Sequence, residues 1–301
     1  MSKPSKKKFM SLERRHNLTG WVFLAPAALL ILFMSFVPMV KALLLSFQTG
    51  TGAAMKYADP IWMNYVQMTK DTVFIQSLKN TFLYLIIQVP VMLVLALILA
   101  SILNNRQLRF KGLFRTMIFL PCATSLVAYA TVFRTLFANN GLINLVLVNL
   151  GILDQPYSFL TNVWSARIII VIALLWRWTG YNMVFYLSGL QNIEYSIYEA
   201  AKIDGASPMQ TFFKITAPLL KPTILLTAIM STNGTLQLFD ESVNLTDGGP
   251  ANASITMSHY IYNMSFKYVP KFGYAAAMSF LILILVAILA FVQMKVGDKR
   301  D

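Results

Sequence analysis

Phe82-Leu-Tyr-Leu-Ile-Ile-Gln-Val-Pro-Val-Met-Leu-Val-Leu-Ala-Leu-Ile-Leu-Ala-Ser-Ile-Leu103 is an apolar run of 22 residues without a single charge. A helix rising 1.5 Å per residue crosses the hydrocarbon of a bilayer in roughly 20 residues, so the run reads as a transmembrane helix. Five further blocks flank it, at 21–45 on one side and at 116–136, 168–190, 223–239 and 273–294 on the other. The fifth block in chain order is the weakest. Ser231-Thr-Asn-Gly-Thr235 interrupts it, a pattern that taken alone also suits a re-entrant or membrane-surface segment. The expected fold is therefore an all-α membrane protein with six transmembrane helices. Residues 1–20 form an N-terminal segment, 21–294 the six-helix domain and 295–301 a tail.

Composition agrees. Of 301 residues 57% are hydrophobic and 12% charged, against roughly 25% charged in an ordinary soluble domain. The net charge of +13 is not gathered into a basic face but sits in clusters beside the apolar blocks, which points to membrane topology and lipid rather than to nucleic acid. Lys3, Lys6, Lys7, Lys8, Arg14 and Arg15 precede the first block. That block is longer than the roughly 7–15-residue core of a signal peptide and no small-residue cleavage pattern follows it, so it is expected as a retained span.

Six spans put both termini on one side. The segments 1–20, 104–115, 189–221 and 295–301 on that side hold 16 of the 25 Lys and Arg residues; the three opposite loops hold five, Lys56, Lys70, Lys79, Lys267 and Lys271. The bias puts both termini in the cytoplasm of a bacterial inner-membrane protein. Among the outer loops, 141–150 suits a short surface helix.

Residues 189–221 are long for a connection between spans. Glu194-Tyr-Ser-Ile-Tyr-Glu-Ala-Ala-Lys-Ile-Asp-Gly205 reads as a helix ended by a glycine in left-handed conformation. Ser207, Pro208 and Gln210 then stand at the cap, first and third positions of a second helix, a capping-box pattern. Pro218 and Pro222 mark its end and the entry to the next span. Two short helices with a fixed corner make a rigid platform.

The spacing within this platform carries a resemblance. Glu199-Ala200-Ala201, three residues, Gly205, nine residues, Ile215, two residues and Pro218 resembles the EAA signature of ABC importer permeases, with Ala217 where that signature usually has leucine. Phe239-Asp240 and Leu245-Thr-Asp-Gly-Gly-Pro250 resemble the segment after the fifth span in permeases of the maltose and glycerol-phosphate type. The resemblance implies a type I importer permease for a carbohydrate. It implies a second, MalG-like permease subunit, two cytoplasmic ATPase subunits and an extracytoplasmic solute-binding protein as partners. The cytoplasmic EAA loop would dock on an ATPase through Glu199, Ala200, Ala201, Asp204, Gly205, Ile215 and Pro218. Ala200 and Ala201 are small enough to let the helix sit deep in a groove, and Glu199 offers its charge to an arginine.

Other chemistry is not written in the chain. There is no GxxxxGK[ST] phosphate loop, so ATP is not bound by that route. GxSxG and HExxH are absent, and His16 and His259 fall on opposite expected sides of the membrane. Cys122 is the one cysteine. No catalytic residue, metal site or cofactor is expected, and the chain reads as a transport subunit rather than an enzyme. An ion-coupled secondary transporter or channel is the alternative, but such carriers normally bury acids within their spans. Here only Asp240 and Glu241 stand near one, at the outer end of the fifth.

Polar residues in the fifth span should face the bundle interior or a wet cavity. Ser231, Thr235 and Leu238 share one helical face, with Asn233 and Gln237 on a neighbouring one. In the fourth span Trp178, Tyr181 and Asn182 combine rings with hydrogen-bonding tips, which suits a neutral polyhydroxylated solute. A solute path through Tyr181, Ser231, Asn233, Thr235 and Gln237 and simple helix–helix bonding both fit this pattern. Arg134, Arg167 and Arg177 either point to an anionic solute or snorkel to the interface.

Overall fold

The computed structural model describes residues 12–51, 54–105 and 107–297. Lys3, Lys6, Lys7, Lys8, Arg106, Lys299 and Arg300, on which part of the charge bias rests, lie outside them. In chain order α1 (Leu12–Ile31) and α2 (Val37–Ser46) are joined by a π turn at Leu32–Phe36. A small antiparallel hairpin follows, β1 (Gln48–Thr49) with β2 (Lys56–Tyr57), and leads into α3 (Met63–Lys70) and α4 (Thr72–Asn104). Next come α5 (Lys111–Ala123), α6 (Leu126–Leu136), the short α7 (Leu142–Asn149) and α8 (Val163–Gln191). α9 (Tyr195–Ile203) precedes α10 (Pro208–Thr211) and α11 (Ala217–Leu219), which a π turn at Phe212–Thr216 joins. The chain ends with α12 (Lys221–Leu236), α13 (Asp240–Thr246), α14 (Met257–Tyr262) and α15 (Phe272–Gly297).

Four helices are long and apolar enough to cross a membrane: His16–Ser46, α4, α8 and α15. With each of the bent pairs α5–α6 and Pro208–Leu219 with α12 taken as one span, the count among the described residues is six. Both bends depart from the straight spans that hydropathy suggests. The third span turns by 97° between α5 and α6, because Pro121 in the last turn of α5 has no N–H to give and Thr124 is extended. The fifth bends by 69° at Leu220, just before Pro222. The polar stretch Ser231–Thr235, expected as an interruption, stays helical, and α12 ends instead at Leu236.

Breaking a helix frees carbonyls, and in hydrocarbon each needs a partner. Arg177 of α8 supplies them. Its Nη1 donates to the Thr124 carbonyl at 3.0 Å and the Pro121 carbonyl at 3.3 Å, and its Nη2 to the Cys122 carbonyl at 3.4 Å. The guanidinium also lies over the Tyr129 ring at 4.8 Å. Arg177 is therefore neither snorkelling nor open to a solute, correcting both expectations. Arg167 is likewise engaged, donating to the Ala253 carbonyl at 2.8 Å and the Asn80 side chain at 2.9 Å; Arg134 is exposed. The reach of Arg177 depends on α5 lying against α8. A Cβ on Gly180 would overlap the Ile118 carbonyl oxygen, so only glycine allows that approach.

α4 and α8 form the central pair, with α12 and α15 packed beside them. Buried Ala96 and Ala100 of α4 sit with Met183, Tyr186 and Leu190 of α8 and with Leu220. Asp71 caps α4, accepting from the N–H groups of Val73 and Phe74 at 2.9 and 3.1 Å. The same carboxylate takes the hydroxyls of Tyr260 at 2.6 Å and Tyr274 at 2.8 Å, tying α14 and α15 to the start of α4. Near this end Asn80 donates to the Asn252 and Ile255 carbonyls at 3.1 and 2.9 Å. The Asn104 end of α4, about 50 Å away along the helix, adjoins α9. The loops at 195–219 and 247–256 thus occupy opposite ends of the bundle.

At the Asp71 end the enclosed His259 ring shares a hydrogen bond with Ser242 at 2.9 Å, while Lys267 binds both oxygens of Asp247 at 3.0 Å. Burial pushes His259 down from 6.5 to about 4, against the pull of Asp247. Burial alone would raise Asp71, but its Tyr260, Phe74, Tyr274 and Val73 donors together carry it below its ordinary value.

Two outcomes are expected. Arg177→Met should lower stability in detergent by about 2–3 kcal/mol by orphaning helix carbonyls, with Arg177→Lys recovering only part because it has no fork; an unchanged thermal midpoint for Arg177→Met would refute the role. Both depressed groups bind more protons when unfolded, so their contribution is full at neutral pH and lost on acidification. The midpoint should fall from pH 6.5 to about 4 through His259, and further below that range through Asp71. His259→Gln should flatten the upper part of that profile, and a wild-type profile already flat there would refute the assignment.

Candidate functional site

A cavity of about 300 Å³ opens between α4, α8, α12 and the start of α13. Gln88 and Met92 of α4 form one wall, Trp178, Tyr181 and Asn182 of α8 the second, Ser231 and Thr235 of α12 the third. Gln237, Leu238, Asp240 and Glu241 border it beyond α12. The α-helical period explains the grouping, since 178, 181 and 182 share a face of α8 as do 231 and 235 of α12. Trp178 and Tyr181 meet edge to face with ring centres 5.8 Å apart.

The polar tips are partly paired. Thr235 donates to Gln88 Oε1 at 2.9 Å, and Ser231 to Asn182 Oδ1 at 3.4 Å, while Asn182 donates to the Trp178 carbonyl at 3.0 Å. Tyr129 of α6 reaches Glu241 Oε1 at 2.6 Å, fixing a carboxylate that is buried at the rim. Among the described lining residues there is no lysine, arginine or histidine.

Of the residues expected along a solute path, Tyr181, Ser231, Thr235 and Gln237 line the cavity. Asn233 does not. It is exposed on the far side of α12 and accepts from Gln237 at 2.6 Å. Gln88 and Tyr129 belong to the site but escaped the sequence reading, and Glu241, noted there only as an acid beside the fifth span, was not expected on the path. A lone amide in the apolar run 82–103 was the available signal for Gln88. The pairing of Tyr129 with Glu241 spans 112 residues and leaves no local trace.

The platform lies at the Asn104 end of the bundle. α9 closes with a paired glycine stop: the Ala206 N–H reaches the Ala201 carbonyl at 2.9 Å and the Gly205 N–H the Lys202 carbonyl at 3.2 Å. Gly205 takes φ +77° with open space around it. The next helix starts on a capping box, Gln210 N–H to Ser207 Oγ at 3.2 Å and Ser207 N–H to Gln210 Oε1 at 2.8 Å. Thr216 donates to the Tyr198 hydroxyl at 3.5 Å, linking the two arms.

Glu199, Ala200, Asp204, Gly205 and Pro218 are exposed and Ile215 is half-buried. Ala201 is buried against its own chain, so it does not offer its small surface to a partner. Ile203, 85% exposed, Met209 and Phe213 form an apolar tip that the motif did not single out.

The family of binding-protein-dependent transport system inner membrane components matches residues 92–300. The lactose transport system permease protein LacF of Rhizobium radiobacter is 49% identical over 292 residues, covering 96% of this chain and 97% of the relative. The arabinooligosaccharides transport system permease protein AraP of Halalkalibacterium halodurans is 31% identical, covering 92% and 87%. In fold, the chain superposes on a subunit of a bacterial ABC transporter involved in import of the acidic polysaccharide alginate. The TM-score is 0.83 at 20% identity, covering 96% of this chain and 98% of that one.

Proposed function

The chain belongs to the binding-protein-dependent transport inner-membrane components, and from that premise we propose that it is the permease subunit of a carbohydrate ABC importer. A second permease completes the passage, an extracytoplasmic binding protein delivers the solute at the Asp71 end, and two separate ATPases supply the energy at the Asn104 end. Both termini and residues 189–221 lie in the cytoplasm. The chain itself hydrolyses nothing.

The observation that carries the reading is the platform at 195–219. Its glycine stop and capping box fix the angle between two helix arms, and Glu199, Ala200, Ile203, Met209 and Phe213 stand outward from it. An ATPase cleft that receives this tip pairs Glu199 with a cation and buries the apolar side chains. Ala201 acts from the inner side, as a close-packing residue under α9, with Asp204 and Gly205 at the corner and Ile215 and Pro218 supporting the second arm.

The solute reading rests on the cavity. Ring faces at Trp178 and Tyr181 suit the C–H faces of a sugar, and Gln88, Asn182, Ser231, Thr235 and Gln237 suit its hydroxyls. Names of the relatives, a lactose and an arabinooligosaccharide permease, favour the same class. Arg177 is spent on the carbonyls of the α5–α6 break and Arg167 on Ala253 and Asn80, neither they nor Arg134 line the cavity, and Asp240 and Glu241 border it instead. The solute is therefore a neutral saccharide.

A bulky residue in this left-handed position costs on the order of 1–2 kcal/mol locally; Gly205→Asp adds a Cβ and a second negative charge beside Asp204 at the corner that aims the second arm. The variant should insert normally yet co-purify poorly with its ATPase and lose most solute-stimulated hydrolysis. Glu199→Ala should weaken the same step. Tyr181→Trp, filling the cavity, should do the reverse, keeping the ATPase but losing uptake. Normal ATPase binding and stimulation in both loop variants would sink the coupling role.

A further inference from the structure

A second cavity, about 590 Å³, lies where the Asn104 end of α4 meets the start of α5 and the junction of α8 with α9. Ser101, Asn104, Asn105, Lys111, Arg115 and Tyr198 line it with others. Its two charged lining residues are both basic. Arg115 Nε is buried without a hydrogen-bond partner, and neither Lys111 nor Arg115 is in an ion pair among the described residues. α5 begins at Lys111 without a side-chain cap, so its first N–H groups add partial positive charge at the same place. An anion is the missing partner.

The surroundings indicate which anion. On the first two turns of α5 the apolar Phe110, Leu113, Phe114 and Met117 are all exposed, Phe110 by 74%. Cations in a recess with an apolar shelf beside them match a molecule that carries a phosphate and hydrocarbon together. Free phosphate would satisfy Lys111 and Arg115 but has no use for the shelf. We propose that this cavity binds the phosphate of an anionic phospholipid headgroup, with the acyl chains lying along Phe110, Leu113, Phe114 and Met117. Arg115 would fork onto two phosphate oxygens, Lys111 would add a point charge, and Ser101, Asn104 and Tyr198 would bond the rest of the headgroup.

The test is native mass spectrometry of the full chain, purified in detergent with its partner subunits and titrated with phosphatidylglycerol, phosphatidylcholine or inorganic phosphate. Phosphatidylglycerol should be retained and phosphatidylcholine should not. Lys111→Gln with Arg115→Gln should weaken retention about twenty-five-fold, the product of about fivefold for each lost cation at a membrane surface. Lys111→Arg with Arg115→Lys, which keeps both charges but displaces the fork, should recover only part of it. If the double Gln variant fails to assemble, Arg115→Gln alone should show the fivefold loss. Equal binding of the two lipids, wild-type retention by the Gln variants, or displacement of phosphatidylglycerol by equimolar inorganic phosphate would each overturn the proposal.

Discussion

A bilayer interior offers no water to an open backbone carbonyl, so a helix broken inside it must find donors from the protein. Here the break between α5 and α6 is met by one guanidinium. Arg177 donates to the carbonyls of Pro121, Cys122 and Thr124 and stacks on Tyr129 at 4.8 Å. Much of the arrangement around the cavity follows from it. The 97° bend brings α6 across the bundle so that Tyr129 reaches Glu241, and Trp178, Tyr181 and Asn182 sit on the next turn of the helix that carries the arginine. A residue that looks in sequence like an anion receptor is thus a structural pin, and the cavity beside it has only neutral and acidic polar walls.

The proposed importer needs its two ends to communicate, and α12 joins them. Its first end is held by Leu220, fully buried among Met183, Leu187 and Leu190. At the other end Ser231 and Thr235 face the cavity and bond Asn182 and Gln88. A displacement of the platform enters α12 through Leu220, across packed side chains rather than a slack loop. Such packing transmits small movements because interiors are dense and deform little.

Local features were the legible ones. Apolar runs of about 20 residues sufficed for the number of spans, and the stop at Gly205 and the cap at Ser207 and Gln210 were readable because each closes within about six residues. What escaped needed partners distant in sequence. Whether Ala201 faces a partner or its own chain, and whether Asn233 faces the cavity or away from it, depends on which neighbours surround each helix, which period alone does not say. The bend at Thr124 was hidden because Pro121 is tolerated in many membrane helices; only Arg177, more than 50 residues later, explains why the break is stable. Hydropathy cannot tell a pinned arginine from a snorkelling one.

The most direct measurement of the importer reading is proximity between the platform tip and an ATPase in intact membranes. With Cys122→Ser as background, Ile203→Cys should cross-link through a short bismaleimide to cysteines placed along the ATPase cleft, with a yield that changes on adding ATP. Asn252→Cys, at the opposite end of the bundle, should form no such product. Efficient cross-linking of Asn252→Cys to the ATPase, with none from Ile203→Cys, would contradict both the orientation and the coupling role.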